Sequence, residues 1–439
     1  MKFPITFLML LFVSASSLVY SQDHASGPPA ELLKDAKGRQ PMTLEQFDQL
    51  ALAGNPTLPE ADALTKQSAG LARQAGLYPN PTVGYQGEQI RGGAFRGGEQ
   101  GAFIEQTFVL GGKLGLRRNV YEQQRKANQI GAGEQRQRVL ADVRQQFYIA
   151  LAAQETVNVR QRLLGLANNA VITAKQLANV GQADAPDVLQ SEVEAEQAEI
   201  DYTNAQRMFL QKFRSLAALC GRPELSIAPL AGNLEKPPRI DTERIVDQMI
   251  ETSPEVKRAQ QQIVQAEAEV KSAKRESIPD LEVHAGMQNN FQPINESATN
   301  PVGAQAFVTA GIALPIFNRN QGNVAAAKAD AERASLDLKR LQFSLRREAQ
   351  PELQGYLAAE NQARRYKEEI IPRAERAYQL YMTKYRQMGA AYPQVIVSQR
   401  TLFQLQVAYI DVLRKVWSHA IALQNFLLTN GLAMNLPSQ

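Results

Sequence analysis

From about Leu114 to Val180 the chain contains no proline, and the stretch reads as helical. An unbroken helix of that length spans roughly 100 Å at about 1.5 Å per residue. Helices of ordinary globular domains run about 8–20 residues, so this one needs equally long partners. Val143, Ala150, Val157, Leu164, Val171 and Ala178 recur every seven residues. A sustained seven-residue repeat signals supercoiled packing, and a seam of Ala and Val allows close approach. Near the other end Leu402, Leu405, Tyr409, Val412, Val416, Leu423 and Phe426 fit two heptad positions. A plain coiled-coil rod would satisfy these patterns but not the rest of the sequence.

The rest is written twice, at an offset near 200 residues. Asn55-Pro56 and Ser253-Pro254 each open a helical pattern, and Pro79-Asn80-Pro81 and Pro279-Asp280 end them. A strand-like hairpin and a long helical stretch follow in both halves. Val180-Gly181 and Met388-Gly389 interrupt the long patterns, and Cys220-Gly221 and Asn430-Gly431 close the halves. So long a period means a duplicated subdomain, because solenoid repeats are about 20–50 residues. The expected divisions are repeats over 41–222 and 241–431, a linker over 223–240 and a tail over 432–439. Each half should run helix, helix, hairpin, long helix, turn, long helix. Long helices are expected over about 114–180, 186–220, 320–388 and 394–430, with Thr43 and Asp241 as caps of the first short helices. Pro351 and Pro372 fall inside the third long helix, where a kink or break is expected near each.

Four segments alternate like strands, near 82–90, 101–110, 281–291 and 304–314. Leu281, Val283, Ala285 and Met287 share one side, and Glu282, His284, Gln288 and Asn290 the other. Ala306, Val308, Ala310, Ile312 and Leu314 repeat the pattern, with Phe307 as an exception on the polar side. Alternating segments of about ten residues fit transmembrane β-strands, although a soluble sandwich edge also alternates. The glycine-rich and polar links at 91–98 and 293–300 suit solvent-facing loops. Four strands are too few for a membrane barrel of their own, since bacterial ones start at eight, and open edges cannot face lipid. Strands in a membrane would have to be pooled among chains, and three chains would give 12.

The N-terminal segment has Lys2, an apolar run from Phe3 to Val13 and then small polar residues. It reads as a secretory signal over 1–21, with a membrane anchor as the alternative, followed by a flexible leader over 22–40. No later segment approaches the roughly 18–20 apolar residues of a membrane helix. The single cysteine, Cys220, leaves no intrachain disulfide and no lipid attachment near the cleavage site. A formal net charge of only +4 carries no nucleic-acid signature.

The segments "TLEQFDQLALAGNPTL", "AGLYPNPTVGYQ", "VLGGKLGLR", "VGQADAPDVLQSE" and "LPIFNRNQGNVAAAKADAE" resemble the TolC-like outer-membrane efflux family over almost the whole mature chain. "LPIFNRNQGN" resembles the heavy-metal branch, of cobalt–zinc–cadmium and copper–silver type. The resemblance implies a mainly α fold with a small β part. Long antiparallel coiled-coil helices would form an α-helical barrel, and four strands per chain would join a shared transmembrane β-barrel. It further implies a homotrimer in outer-membrane lipid with a long periplasmic portion. A periplasmic adaptor and an inner-membrane pump, of the RND type, would supply substrate and energy. The channel would then be a passive duct and not an enzyme, for metal ions, small molecules or polypeptides. A secreted structural coiled-coil protein with soluble hairpins is the competing reading of the residues alone.

On this resemblance Val180, Gly181, Met388 and Gly389 match the tip positions where the adaptor docks, and Asp187 matches an acidic tip position. Asp184 and Asp187 could line a constriction, where clustered carboxylates would concentrate cations, or could serve the N-terminus of the next helix beside Pro186. Val395 and Ser398 stand where some members carry two aspartates. Gly111, Gly112 and Lys113, and in the second half Pro315, Asn318, Arg319 and Asn320, would form the joints between barrel and helices. There Pro315 would end strand pairing, Asn318 or Asn320 would cap the helix, and Arg319 would sit at headgroup level or simply in water. His24, His284 and His419 are too far apart for a compact zinc site, and the nine methionines form no cluster. His284 reads as polar lining and His419 as seam packing. No glycine-rich stretch fits a phosphate loop, and no catalytic, metal or cofactor set is expected.

Overall fold

The computed structural model describes residues 38–90, 97–181, 183–293, 301–387 and 392–433. The signal segment, most of the leader, Met388 and Gly389 lie outside the described residues. The first half comprises β1 (Met42–Thr43), α1 (Leu44–Gly54), α2 (Thr57–Ala75), β2 (Thr82–Glu88), β3 (Glu99–Phe108), α3 (Lys113–Asn179) and α4 (Ala185–Leu219). The linker contributes β4 (Leu230–Ala231), which pairs in parallel with β1. The second half comprises α5 (Ile245–Thr252), α6 (Pro254–Arg275), β5 (Leu281–Pro293), β6 (Pro301–Ile312), α7 (Gln321–Arg365), a π-turn (Tyr366–Ile370), α8 (Ile371–Arg386) and α9 (Tyr392–Gln424).

The helix starts follow from local chemistry. Thr43 and Gln46 form a reciprocal capping box on α1, each side chain bonding the other's backbone amide. Asp241 does not cap α5 directly. Its carboxylate accepts from the Glu243 amide and its carbonyl from those of Arg244 and Ile245, so a turn intervenes and the helix starts at Ile245. Pro254 opens α6, where a missing amide costs nothing. Asn55 accepts from the Thr57 amide and hydroxyl and donates to Leu219 O at 2.9 Å, tying the start of α2 to the end of α4.

Of the two prolines, Pro372 stands at an interruption of the helix as expected, and Pro351 does not. α7 runs through Pro351 without a break. Pro351 lies on the exposed face, where water reaches the carbonyl freed one turn earlier. Pro372 follows the five-residue π-turn as the second residue of α8. The wider turn sets the preceding carbonyls back from the proline ring. α3 has neither device and is one helix of 67 residues.

The core sits at mid-length, where α1, the β1–β4 pair and the linker add a layer to the long helices. Phe47, Phe147 and Phe213 meet there, with Phe47 5.9 Å from Phe147 and 6.0 Å from Phe213 between ring centroids. Tyr148 stacks on Trp417 at 3.5 Å, and the indole N–H donates to Leu234 O at 2.8 Å. The heptad residues Val143, Ala150 and Val157 are buried here, while Leu164, Val171 and Ala178 are half-buried farther out. At the close of the first half Gly221 (φ +69°) faces Gly54 so tightly that a Cβ on Gly221 would stand 2.1 Å from Gly54 O. Cys220 is buried beside them, and burial first, with Asp48 nearby, pushes its thiol up to about 12.

Four strands form one antiparallel sheet in the order β2-β3-β5-β6, so the hairpins of the two halves meet at β3 and β5. Pairing at one end stops at Leu281 with Ile312 and at Phe108 with Leu281. Strand pairing therefore ends three residues before Pro315, because Pro279-Asp280 already closes the partner strand.

Candidate functional site: a two-faced sheet, two joints and a tip

The register sorts the sheet into two faces. Val83, Ile104, Ala285 and Val308 share one row, and Tyr85, Ala102, Met287 and Ala306 the next. This face is apolar yet open: Val83 and Val308 are each 74% exposed and Met287 69%. It continues past the strands through Leu314, Ile316 and Phe317, the last 90% exposed. A contiguous apolar belt of this kind needs lipid or a partner. The opposite face carries Thr82, Glu105, His284 and Thr309 in one row and Gln86, Gly101, Gln288 and Gln305 in another. Glu99 accepts from the side-chain amides of Gln288 and Asn290. A polar, charged face opposite an apolar belt is the division a membrane barrel requires between lumen and lipid.

Phe103 and Phe307 lie on the polar face, an exception that alternation alone left unexplained for Phe307. Each covers a glycine of the neighbouring strand, Phe103 over Gly84 and Phe307 over Gly286. Sequence reading missed this because it is a relation across strands; the signal available was a glycine on the same face of each neighbour.

The outer strands β2 and β6 each pair on one side only. Their free amides and carbonyls cannot stay bare in hydrocarbon.

The two joints use different chemistry. In the first, Gly111 and Gly112 take left-handed φ of +71° and +70°, reversing the chain out of β3. Lys113 then opens α3 with its side chain buried at 3% exposure, its Nζ 2.9 Å from Ile278 O and 2.5 Å from Asp280 Oδ1. Asp280 also accepts from the Leu110 amide at 3.0 Å. Burial raises the Asp280 pKa, but the bonds from Lys113 and Leu110 and the Lys113 and Arg117 charges together hold it below the usual value. One turn on, Arg117 forks Glu276 at 2.8 and 2.7 Å.

In the second joint Asn320 stands at the helix start with a left-handed φ of +59°. It does not cap α7 with its side chain. Its amide nitrogen donates to Ala273 O at 2.8 Å, fastening α7 to the end of α6. The expected capping oxygen is taken by Asn323 Nδ2 at 2.6 Å. Asn318 Oδ1 accepts from the Asn320 amide, closing a turn outside the helix. Arg319 is exposed, with its backbone amide donating to Gln321 Oε1.

At the tip of the first half Gly181 (φ +72°) ends α3 and Val180 beside it is 68% exposed. Asp184 occupies the cap position of α4, yet its side chain makes no capping bond. Asp187 is half-buried in the first turn, and burial followed by its negative charge pushes up the Tyr385 hydroxyl on α8. Val395 is 1% exposed, so an acidic side chain at that position would be buried against the helices. His419 on α9 contacts Glu352 Oε2 through Nδ1 at 2.7 Å, above Gly355. Among the described residues no group of three or more acidic, histidine or cysteine side chains could hold a metal ion, and no helix is long and apolar enough to cross a membrane.

The profile of the family described as "Outer membrane efflux protein" matches residues 48–222 and 245–427, one stretch in each repeat. The chain is 26% identical over 420 residues to the cobalt-zinc-cadmium resistance protein CzcC of Cupriavidus metallidurans, covering 96% of this chain and 97% of that one. It is also 26% identical over 305 residues to the nickel-cobalt-cadmium resistance protein NccC of Alcaligenes xylosoxydans, covering 68% and 67% of the two chains. The solved structure of CusC, described with its transmembrane channel formation, superposes with a TM-score of 0.73 at 16% identity over 88% of this chain and 92% of that one. The exposed apolar belt, which an aqueous coiled-coil rod would not carry, fits the same conclusion. The chain belongs to the outer membrane efflux protein family and is an efflux duct of the outer membrane, with a small β part in the bilayer and long helices beneath it.

Proposed function

We propose that three copies of this chain pool their sheets into one 12-stranded barrel and export metal ions. The observation that carries the assembly is a four-stranded sheet with an apolar outer face and two unpaired edges. Joining β6 of one copy to β2 of the next satisfies both edges and closes the ring. The metal cargo is supported by the likeness to CzcC and NccC, whose names record cobalt, zinc, cadmium and nickel resistance. The tips take a periplasmic adaptor at Val180, Gly181, Met388 and Gly389, and an RND-type inner-membrane pump supplies the energy. Asp184 and Asp187 line the tip constriction, where a threefold set of carboxylates focuses cations.

Native mass spectrometry of the detergent-extracted protein tests the assembly, with a trimer expected and a stable monomer refuting it. Deletion in the native host tests the cargo. Lost tolerance to cobalt, zinc or cadmium, restored by this chain, is expected, and unchanged tolerance to all three removes the metal reading.

A further inference from the structure

Across the polar face of the sheet, strand register lines up Thr82, Glu105, His284 and Thr309 in a single row through all four strands. Directly opposed residues of antiparallel strands hold their Cβ atoms about 4.5–5.5 Å apart, so Glu105 and His284 share one patch of wall. The imidazole is fixed in place by packing. Phe103 meets it edge-on at 4.6 Å between ring centroids, and Phe307 lies 5.2 Å away on its other side. Both phenyl rings stay in position because they fill the room over Gly84 and Gly286. Glu105 is exposed and His284 half-exposed. His419 has Glu352 as a hydrogen-bond partner, whereas among the described residues His284 has ring contacts and no hydrogen bond. A ring held by its faces and edges, with no hydrogen bond to its nitrogens among the described residues and Glu105 directly opposite in register, is prepared for a ligand arriving from the lumen.

We propose that His284 and Glu105 form a two-point contact for borderline transition-metal ions, such as divalent zinc, cobalt or nickel, inside the β-barrel. The inference rests on the trimeric duct reading, which turns the polar face toward the lumen. Neutral imidazole is a good ligand for these ions, while magnesium and calcium prefer all-oxygen surroundings. Two protein ligands leave the remaining positions to water, so the ion is held weakly and exchanges quickly. A conduit needs that balance, because each contact must be favourable enough to enter and weak enough to leave. The next polar row outward, Gln86, Gln288 and Gln305, offers amide oxygens to an ion moving on. Threefold assembly would repeat the contact three times at one height, and the contact would discriminate among cations in a barrel too wide to sieve them.

Planar-bilayer recording of the full-length protein in potassium chloride tests this, with zinc or magnesium chloride as the probe. Zinc should reduce single-channel current at concentrations where magnesium has no effect. His284→Gln and His284→Ala should each raise the half-blocking zinc concentration by about tenfold or more, the loss of one good ligand. Glu105→Gln should shift it in the same direction, and the magnesium response should stay put. Equal zinc block in wild type and His284→Gln overturns the proposal while leaving the duct intact. So does a variant that shifts zinc and magnesium block alike, which marks a change in pore shape or charge. If the variants fail to assemble, equal block of the wild-type channel by zinc and magnesium overturns it. Absence of any channel in the wild type overturns the duct reading itself.

Discussion

Replacing Lys113 by methionine keeps the length and the apolar stem of the side chain but removes its ammonium. The side chain is 3% exposed, and its ammonium makes two contacts, to Ile278 O at 2.9 Å and Asp280 Oδ1 at 2.5 Å. A hydrogen bond to a charged group contributes about 1.5–3 kcal/mol. The Asp280 side chain is 30% exposed, so water recovers part of its loss and that contact is discounted. The Ile278 carbonyl is left with the larger deficit, and the joint should weaken by about 2 kcal/mol in total. The Arg117–Glu276 fork one turn on is untouched, which confines the opening to the joint. The Leu110 amide reports it directly, because its own acceptor is Asp280 Oδ1. Hydrogen exchange of a peptide spanning Leu110 should accelerate about 30-fold, the factor that about 2 kcal/mol sets on a local opening equilibrium. Peptides from the middle of α3 should exchange at the wild-type rate. Unchanged exchange at Leu110, or uniform acceleration along α3, would refute the argument that this buried lysine fastens the first joint.

Two further outcomes follow from the mid-length core. Cys220 should resist maleimide at pH 7 in the folded protein and react once the protein is unfolded. Its folded-state pKa of about 12 lies above the ordinary thiol value, so its contribution to stability is intact below about pH 8.5 and is lost as pH rises toward 12. Labelling should therefore increase at high pH faster than thiolate chemistry alone requires. Gly221→Ala should lower the melting temperature measured by circular dichroism in detergent, because a Cβ there meets Gly54 O at 2.1 Å and takes a φ of +69°. The left-handed backbone alone costs about 1–2 kcal/mol, and a melting temperature equal to wild type would refute the close approach.

The parts of the molecule governed by periodicity could be read directly. Proline-free heptads gave α3, and the alternation of Leu281 through Met287 gave the two-faced β5, because both depend only on spacing along the chain. Parts governed by neighbours across the fold could not. Phe307 made sense only once Gly286 was seen beneath it, and Asn320 looked like a cap because its distant acceptor, Ala273 O, has no sequence signal. The burial of Lys113 depends on Asp280, in the other repeat and 167 positions away, and has no local sequence signal. Pro351 was expected to disturb its helix, and whether it does depends on which face of α7 meets water.

If three copies close one ring as proposed, the unpaired edges of β2 and β6 have a genetic consequence. In a closed ring of three, each copy must offer one good edge to each neighbour, so a single copy with a blocked edge spoils the whole ring. If such a copy is made in equal amount with the normal one and assembles at random, only about one ring in eight is free of it. An edge-blocking substitution in β2 or β6 should therefore behave as a dominant allele, whereas one that prevents folding altogether should be recessive.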